Sequence, residues 1–542
     1  MRLMSLTDRV SSKLHTIRTL ADAGILSPTR PDRLVAVAAT LLRWGPTPAA
    51  GYAASAVRYP GETAIVDELG TLTFREVHER TNALANALAD EGLNEGDGVG
   101  IMIRNHRGFI DAVVACSKLG CHALFLNTAF SGPQLTDVCA REKPKALIFD
   151  EEFGEVLADA GSRRKRFIAW SEPEGDAKEL TLEALIERGD RSDVVPPESP
   201  GKAIILTSGT TGTPKGASRP QPKSLDPAAA LLSRIPLKAR EKTMIAAPLF
   251  HAWGFAHFTL GLSLSSTYVL KRKFDPEATL GLTAQHECTA LAVVPVMLQR
   301  ILELEDDVLT RYDLSALRSV PVSGSALSAA ISERWMDCIG ENLYNLYGST
   351  EVAWATIATP EDLRAAPGTA GKPPRGTIVK LYDEHGEPVT EKGATGRIFV
   401  GNDMQFEGYT GGGGKDSIDG LMSSGDVGHF DEEGRLFIDG RDDDMIVSGG
   451  ENVFPGEVEE LLAKHKDVVE AAVFGVDDEK FGQRLKAVVV TRGSAKLTEA
   501  AVKKYVKENL AGYKVPREVA FVDELPRTST GKVLKRELKD ED

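Results

Sequence analysis

The 542-residue chain has few cysteines and none of the patterns that would commit them. Cys116, Cys121, Cys139, Cys288 and Cys338 form no CxxC pair and keep no regular spacing. That excludes a disulfide scaffold and a cysteine-rich zinc site, and it reads as reduced thiols in a cytoplasmic protein. No apolar run approaches the ~18 residues of a membrane-crossing helix. The N-terminus carries Asp8 and lacks an apolar core, so no secretory leader is expected. Basic residues are outnumbered, 64 Lys+Arg against 79 Asp+Glu, for a net charge of −15. An acidic chain lacks the basic footprint of non-specific nucleic-acid binding, so no nucleic-acid partner is expected. No internal repeat runs at a fixed period.

What is present is an ordinary globular composition, 42% hydrophobic and 26% charged, over a length of three to four domain-sized units. Glycine is in excess: 51 residues, clustered at 209–216, 408–414 and 448–450. Glycine at such density lets backbone approach a ligand or make tight turns.

Residues 1–50 read as an arm of two amphipathic helices. Asp32 is the expected cap of the second, which carries Leu34, Val37, Leu41 and Leu42 before Gly45-Pro46 ends it. Such an arm can pack on the body of the protein, rest on a membrane surface, or meet a partner subunit in a homodimer. From Tyr59 the pattern is α/β. Thr73-Phe74-Arg75-Glu76 is a capping box, and Phe74, Val77, Leu84 and Leu88 share one helix face. Short apolar strands at 98–103, 122–127, 145–149 and 203–207 alternate with helices, which predicts parallel sheet. A turn-rich, β-leaning stretch spans 376–440. After it comes a compact module: a helix opening at Pro455, strands at 470–476 and 486–490, and a helix capped by Thr498. The expected fold class is therefore α/β: the arm (1–50), a large domain (51–440) of packed α/β subdomains with a β-rich one, and a small mobile C-terminal α+β lid (441–542).

The strongest local feature is the segment Thr207-Ser208-Gly209-Thr210-Thr211-Gly212-Thr213-Pro214-Lys215-Gly216, which follows the apolar Ile205-Leu206. Glycines turn backbone N–H groups inward as an anion nest, and hydroxyls and a lysine add donors and charge. The loop suits phosphates, yet it is not a Walker A loop: Lys215 is preceded by proline and followed by glycine. The Gly411–Gly414 run fails the same test, since Asp416 follows Lys415.

Four more segments follow in order: Pro248-Leu249-Phe250-His251-Ala252-Trp253-Gly254, Ser323-Gly324-Ser325-Ala326, Asn345-Leu346-Tyr347-Gly348-Ser349-Thr350-Glu351 and Ser424-Gly425-Asp426. Arg441-Asp442-Asp443, Ser448-Gly449-Gly450-Glu451 and Arg527-Thr528-Ser529-Thr530-Gly531-Lys532 complete the series. Together with the phosphate loop they resemble the adenylate-forming (ANL) superfamily over about nine-tenths of the chain, and look most similar to its fatty-acyl-CoA synthetase branch. The resemblance implies ATP and Mg²⁺ as cofactors, coenzyme A as co-substrate, and a small carboxylic acid, a fatty acid, as partner. By itself a histidine in an apolar segment reads as readily as a core residue; the resemblance puts His251 where carboxylate meets nucleotide. It puts Ser323, Gly324 and Ser325 beside adenine, with Asn345, Tyr347 and Gly348 near the base. It gives Thr350 to the α-phosphate and Glu351 to Mg²⁺, a cation content with one carboxylate plus waters and phosphates. Asp426 and Arg441 would hold the ribose, Asp443 would be the hinge, and Ser448, Gly449, Gly450 and Glu451 would face CoA. Lys532 would bridge the two reacting anions.

The implied reaction is acyl-AMP formation with release of pyrophosphate, then thioester formation after the lid rotates. No GxSxG elbow supplies a protein nucleophile. Two other readings stay open: an acyl-AMP ligase loading a carrier protein, and a non-catalytic nucleotide- or acyl-binding scaffold. The sequence departs from the family pattern beside the ribose site, with Leu421 for an aromatic residue, Ser423-Ser424 before Gly425-Asp426, and the Gly411–Gly414 turn.

Overall fold

A computed structural model describes residues 6–539 apart from 28–29, 162–163, 173–178, 208–214, 219–221, 223, 411, 443–445, 449–450, 454, 479–481, 494–496 and 529–530. Its largest sheet has eight strands. The parallel part runs Ala203–Thr207, His122–Phe125, Gly98–Met102, Ala146–Asp150, Lys165–Trp170 and Leu180–Thr181. The βα alternation of the sequence is why these strands are parallel: each apolar run is returned by a helix, such as Arg107–Leu119, whose apolar stripe covers the sheet. One edge is antiparallel. Lys215–Ser218 pairs back on Ala203–Thr207, and Gly408–Tyr409 pairs with Lys215–Ser218.

A second sheet of five strands orders Ala290–Ala292, Lys242–Ile245, Thr267–Val269, Thr63–Asp67 and Gly70–Thr73. Bridges Ala290–Ser319 and Val293–Val322 tie it to a small sheet of Val320–Val322, Leu343–Tyr347 and Thr356–Ala358. The stretch 376–440 forms an antiparallel sheet that includes Leu421–Phe430 and Leu436–Arg441. Leu421, the substituted aromatic position, is buried against Tyr382 and Phe399. Its apolar side chain therefore serves packing there.

The C-terminal module is α+β. Val468–Asp478 and Gly482–Thr491 pair antiparallel, and Glu518–Val522 adds in parallel. Helices Pro455–Ala463 and Glu499–Asn509 complete it, the second capped by Thr498 as expected. Its core of Ile446, Val458, Leu462, Val473, Val489, Val502 and Val506 draws on no residue before 446 among the described ones.

The N-terminal helices span Leu6–Asp22 and Pro31–Trp44. One expectation is corrected: Asp32 is not the cap of the second helix. Arg30 holds the cap position without a side-chain bond, and Asp32 sits in the first turn. Pro31, with its fixed φ and missing N–H, starts the helix two residues earlier than a cap at Asp32 would. Leu20, Ala23 and Trp44 enter the body's cores.

Candidate active site

The site lies where the sheet ends converge, in a cavity of about 2710 Å³ lined by Lys215, His251, Thr350, Glu351, Asp426 and Lys532. Thr207 closes the strand that enters the phosphate loop, and its backbone pairs with Lys215 on the strand that leaves it. Ser208, Gly209, Thr210, Thr211 and Gly212 lie outside the described residues. The hairpin register nevertheless fixes where the loop begins and ends. The Lys215 ammonium lies 5.4 Å from the centre of the Tyr409 ring.

Tyr409 is a residue that motif reading did not single out. Its hydroxyl donates to Glu351 Oε1 at 2.7 Å, and the Glu351 carbonyl accepts from Phe406 N–H at 2.9 Å. Burial, and then the bond to Glu351, raise the Tyr409 hydroxyl's pKa, so it stays a donor. The short edge strand Gly408–Tyr409 thus aims one carboxylate and one ammonium at the same space. No cluster of three or more His, Cys, Asp or Glu able to hold a metal occurs among the described residues. A lone, oriented Glu351 fits Mg²⁺, which takes its other ligands from water and substrate phosphates. Tyr409→Phe should lower kcat about tenfold and raise the Mg²⁺ concentration for half-maximal rate. The Phe ring keeps the packing on Phe406 at 4.9 Å. An unchanged Mg²⁺ dependence would remove Tyr409 from the orientation of Glu351.

Asp426 and Arg441 face each other as register partners on adjacent antiparallel strands, their charged groups 3.6 Å apart. The Tyr347 hydroxyl donates to Asp426 Oδ2 at 2.5 Å and also contacts Ser424 Oγ at 3.0 Å. Burial, then the Asp426 charge, pushes the Tyr347 hydroxyl well above its ordinary range. Burial also raises Asp426, against Tyr347, Arg441, Lys532 and Lys415, which all favour its ionised form. Ser424, one of the departures from the family pattern, therefore helps orient this carboxylate. Lys415, rejected as a Walker lysine, also reaches the site: a Cβ on Gly425 would lie 3.3 Å from its ammonium. The glycine turn before it allows this, with Gly412 and Gly413 at φ of 85° and 91°.

Asn345 and Val322 are backbone partners in the small parallel pair, so Ser323, Gly324 and Ser325 leave their strand beside the Asn345–Glu351 segment. Gly324 holds φ of 101° at that turn. A side chain on Gly348 would collide with the Ala353 carbonyl, which is why the chain needs glycine there. His251 is the cap residue of helix Ala252–Leu264 and lines the cavity. His257, by contrast, is buried edge-on against Trp253, and burial lowers its pKa to about 3, so it stays neutral in the core.

Lys532 belongs to the C-terminal module yet bears electrostatically on Asp426 of the main body. Its loop is closed by Gly531 N–H to the Thr528 carbonyl at 2.8 Å and by Lys532 N–H to Thr528 Oγ1 at 3.1 Å. Gly531, at φ of 81°, abuts Val296 so closely that a Cβ would collide. The C-terminal module thus places Lys532 in the lining of the cavity. Arg441 lies beside Asp426, while Asp443, Gly449 and Gly450 lie outside the described residues. Ser448 and Glu451 are backbone partners in the hairpin around them.

The family models match as this geometry would require. "AMP-binding enzyme" covers residues 52–410, and "AMP-binding enzyme C-terminal domain" covers 457–532. The chain belongs to the AMP-binding enzyme family. It is an AMP-forming acid–thiol ligase of the adenylate-forming superfamily. Indoleacetate–CoA ligase of Aromatoleum aromaticum is 33% identical over 89% of this chain and 95% of its own length. The 2-succinylbenzoate–CoA ligase of Geobacillus kaustophilus is 34% identical, over 89% of this chain and 95% of its own. Among solved structures, the anthranilate CoA ligase AuaEII in complex with anthranoyl-AMP superposes with a TM-score of 0.82 at 25% identity. That match covers 91% of this chain and 96% of the other.

Proposed function

We propose that this AMP-binding enzyme joins coenzyme A to an apolar, ring-bearing carboxylic acid. The reaction is ATP-dependent carboxylate–CoA ligation through an acyl-adenylate. A carboxylate and the α-phosphate of ATP repel each other, and the cavity answers with cations from opposite sides, Lys215 and Lys415 on the body and Lys532 on the lid. When bound, Mg²⁺ would add charge neutralisation at Glu351. Asp426 and Arg441 hold the ribose, Tyr347 fixes Asp426, and Thr350 meets the α-phosphate. The observation that carries the reading is Lys532 of the lid facing Asp426 of the body across one cavity. In the second half-reaction the lid turns about Asp443, and the Ser448–Glu451 hairpin replaces Lys532.

The choice of acid rests on relatives whose names carry indoleacetate, ferulate and 2-succinylbenzoate. A long fatty acid is a second reading. It is favoured by the extent of the cavity, which continues past Ala256 and Thr259 to Ala54 and Val37. Pyrophosphate release with arylacetic, cinnamic and C8–C16 fatty acids, each with and without CoA, separates the two. The first reading expects kcat/KM for the aryl acids to exceed that for palmitate by about tenfold or more. A reversed order selects the fatty acid. Release without any thioester on adding CoA, but with transfer to a phosphopantetheinylated carrier, would overturn CoA as acceptor.

A further inference from the structure

Exposed apolar side chains are unevenly placed on this molecule. Of the fourteen large hydrophobic residues exposed among the described ones, seven lie between Leu14 and Leu42. On helix Pro31–Trp44 the exposed set is Leu34, Val35, Ala38, Ala39, Leu41 and Leu42, one continuous face at helical spacing. Val35 is 70% exposed and Leu42 is 88% exposed. On helix Leu6–Asp22, Leu14, Ile17 and Ala21 repeat the pattern. A core-packing helix turns such a face inward. Here it is Val37, Thr40 and Trp44 that face the body, and the opposite, more apolar face meets solvent.

Charge is as uneven. Residues 1–50 hold seven Lys and Arg against three Asp, a net of +4, in a chain whose net charge is −15. Lys13 and Arg18 flank the exposed apolar positions of the first helix, and Arg30 and Arg43 bracket the second; all four are exposed, Arg18 and Arg30 in surface ion pairs with Asp22 and Asp32 at 3.8 and 3.4 Å, and Arg43 bonded to the Val194 carbonyl at 3.1 Å. Long basic stems beside an apolar stripe let the charge reach an anionic surface while the stem stays on the apolar one.

The same segment touches the cavity. Ile25, Val37, Leu41, Pro46 and Arg58 line it. Arg58, at the end of the following helix Pro48–Arg58, ties the arm down there: it donates to Ser27 Oγ in the connector between the two helices at 3.2 Å, and its carbonyl accepts from Arg33 of the second at 2.8 Å.

We propose that the N-terminal helix pair docks on an anionic lipid bilayer, so that the branch of the cavity beside it opens toward the membrane and admits the apolar acid from there. Charge complementarity selects the occupant: a two-fold contact with a second copy of this chain would bring the same +4 segment against itself, whereas anionic headgroups neutralise it. No helix among the described residues is long and apolar enough to cross a membrane, so the contact lies in the interface plane. Docking stands on the arm alone; the entry route also rests on the apolar-acid reading.

Co-sedimentation of the full chain with vesicles, without substrate, tests docking separately from activity. Binding to phosphatidylcholine vesicles containing a quarter phosphatidylglycerol should exceed binding to pure phosphatidylcholine by about tenfold or more, and fall in high salt. Val35→Glu/Leu42→Glu should lose that binding while keeping wild-type pyrophosphate release with a water-soluble acid. If wild type ignores both vesicles, if the double variant binds equally, or if light scattering shows a dimer that the variant breaks with no vesicle binding, the proposal is overturned. With docking established, an acid supplied in the vesicles should show a lower KM for wild type than for the variant. Equal KM values would overturn the entry route alone.

Discussion

Lys532→Ala is expected to slow acyl-adenylate formation by about 10²–10³-fold, the usual cost of removing one oriented electrostatic partner from a water-excluded site. The second half-reaction, with pre-formed acyl-AMP and CoA, should change less than about threefold. The asymmetry follows from where Lys532 sits. It belongs to the C-terminal module, in a loop held by Thr528 and seated against Val296 through Gly531, and it bears on Asp426 across the cavity. Charge migrates between two anions only in the first step, so only that step needs an ammonium there. Acid-dependent exchange of pyrophosphate into ATP reads the first step, and single-turnover thioester formation reads the second. Equal losses in both would take Lys532 out of this role.

Asp426→Asn is expected to lower kcat/KM for ATP by about 10²-fold, mainly through KM. An ionised carboxylate offers two acceptors to vicinal hydroxyls, and an amide gives one of them up. The Tyr347 hydroxyl at 2.5 Å and the Arg441 guanidinium at 3.6 Å are already placed around the carboxylate, so the substitution also unpairs its neighbours. Because burial raises Asp426, activity should fall on the acid side at a pH above the ordinary aspartate range, and the variant should lack that limb. The sign for stability is opposite. A raised carboxyl pKa favours the folded state below its unfolded value, and that contribution is lost as pH rises through the folded value. At neutral pH the ionised Asp426 is therefore a cost, which offsets the unpairing of its neighbours, and the Asn variant should melt close to wild type. A variant that melts several degrees lower, or keeps the acid limb, would contradict this account.

How far the sequence reached can be seen residue by residue. The parallel strands and the Thr73 and Thr498 caps were legible because periodicity and capping are local. Arg30, not Asp32, holds the cap position because proline's fixed φ decided the first turn, a preference stronger than that for a capping carboxylate. Motifs marked Glu351 and Asp426, but not their second partners. Ser424 lies in the same motif as Asp426, but Tyr409 approaches Glu351 only through a pairing between distant segments, Tyr409 with Ala217, and no local pattern announces that. Lys415 is instructive. It fails the phosphate-loop pattern, yet the glycine turn before it carries its ammonium to Gly425. The acyl group was the least legible feature. The exposed apolar face of residues 14–42 was visible as amphipathicity, but which face turned outward needed the packing of Trp44 and Val37.

If one cavity, with Lys532 in its lining, first makes a mixed anhydride and then yields it to a thiol, the anhydride can be trapped between the two steps. The most direct measurement is a single-turnover quench with enzyme in excess over the accepted acid, in ATP and Mg²⁺, analysed by mass spectrometry, with CoA added only after a delay. Acyl-AMP should accumulate to about one equivalent of acid, stay bound, and convert to acyl-CoA with matching AMP release when CoA arrives. Thioester formation without a prior acyl-AMP, or acyl-AMP that CoA leaves untouched, would contradict it.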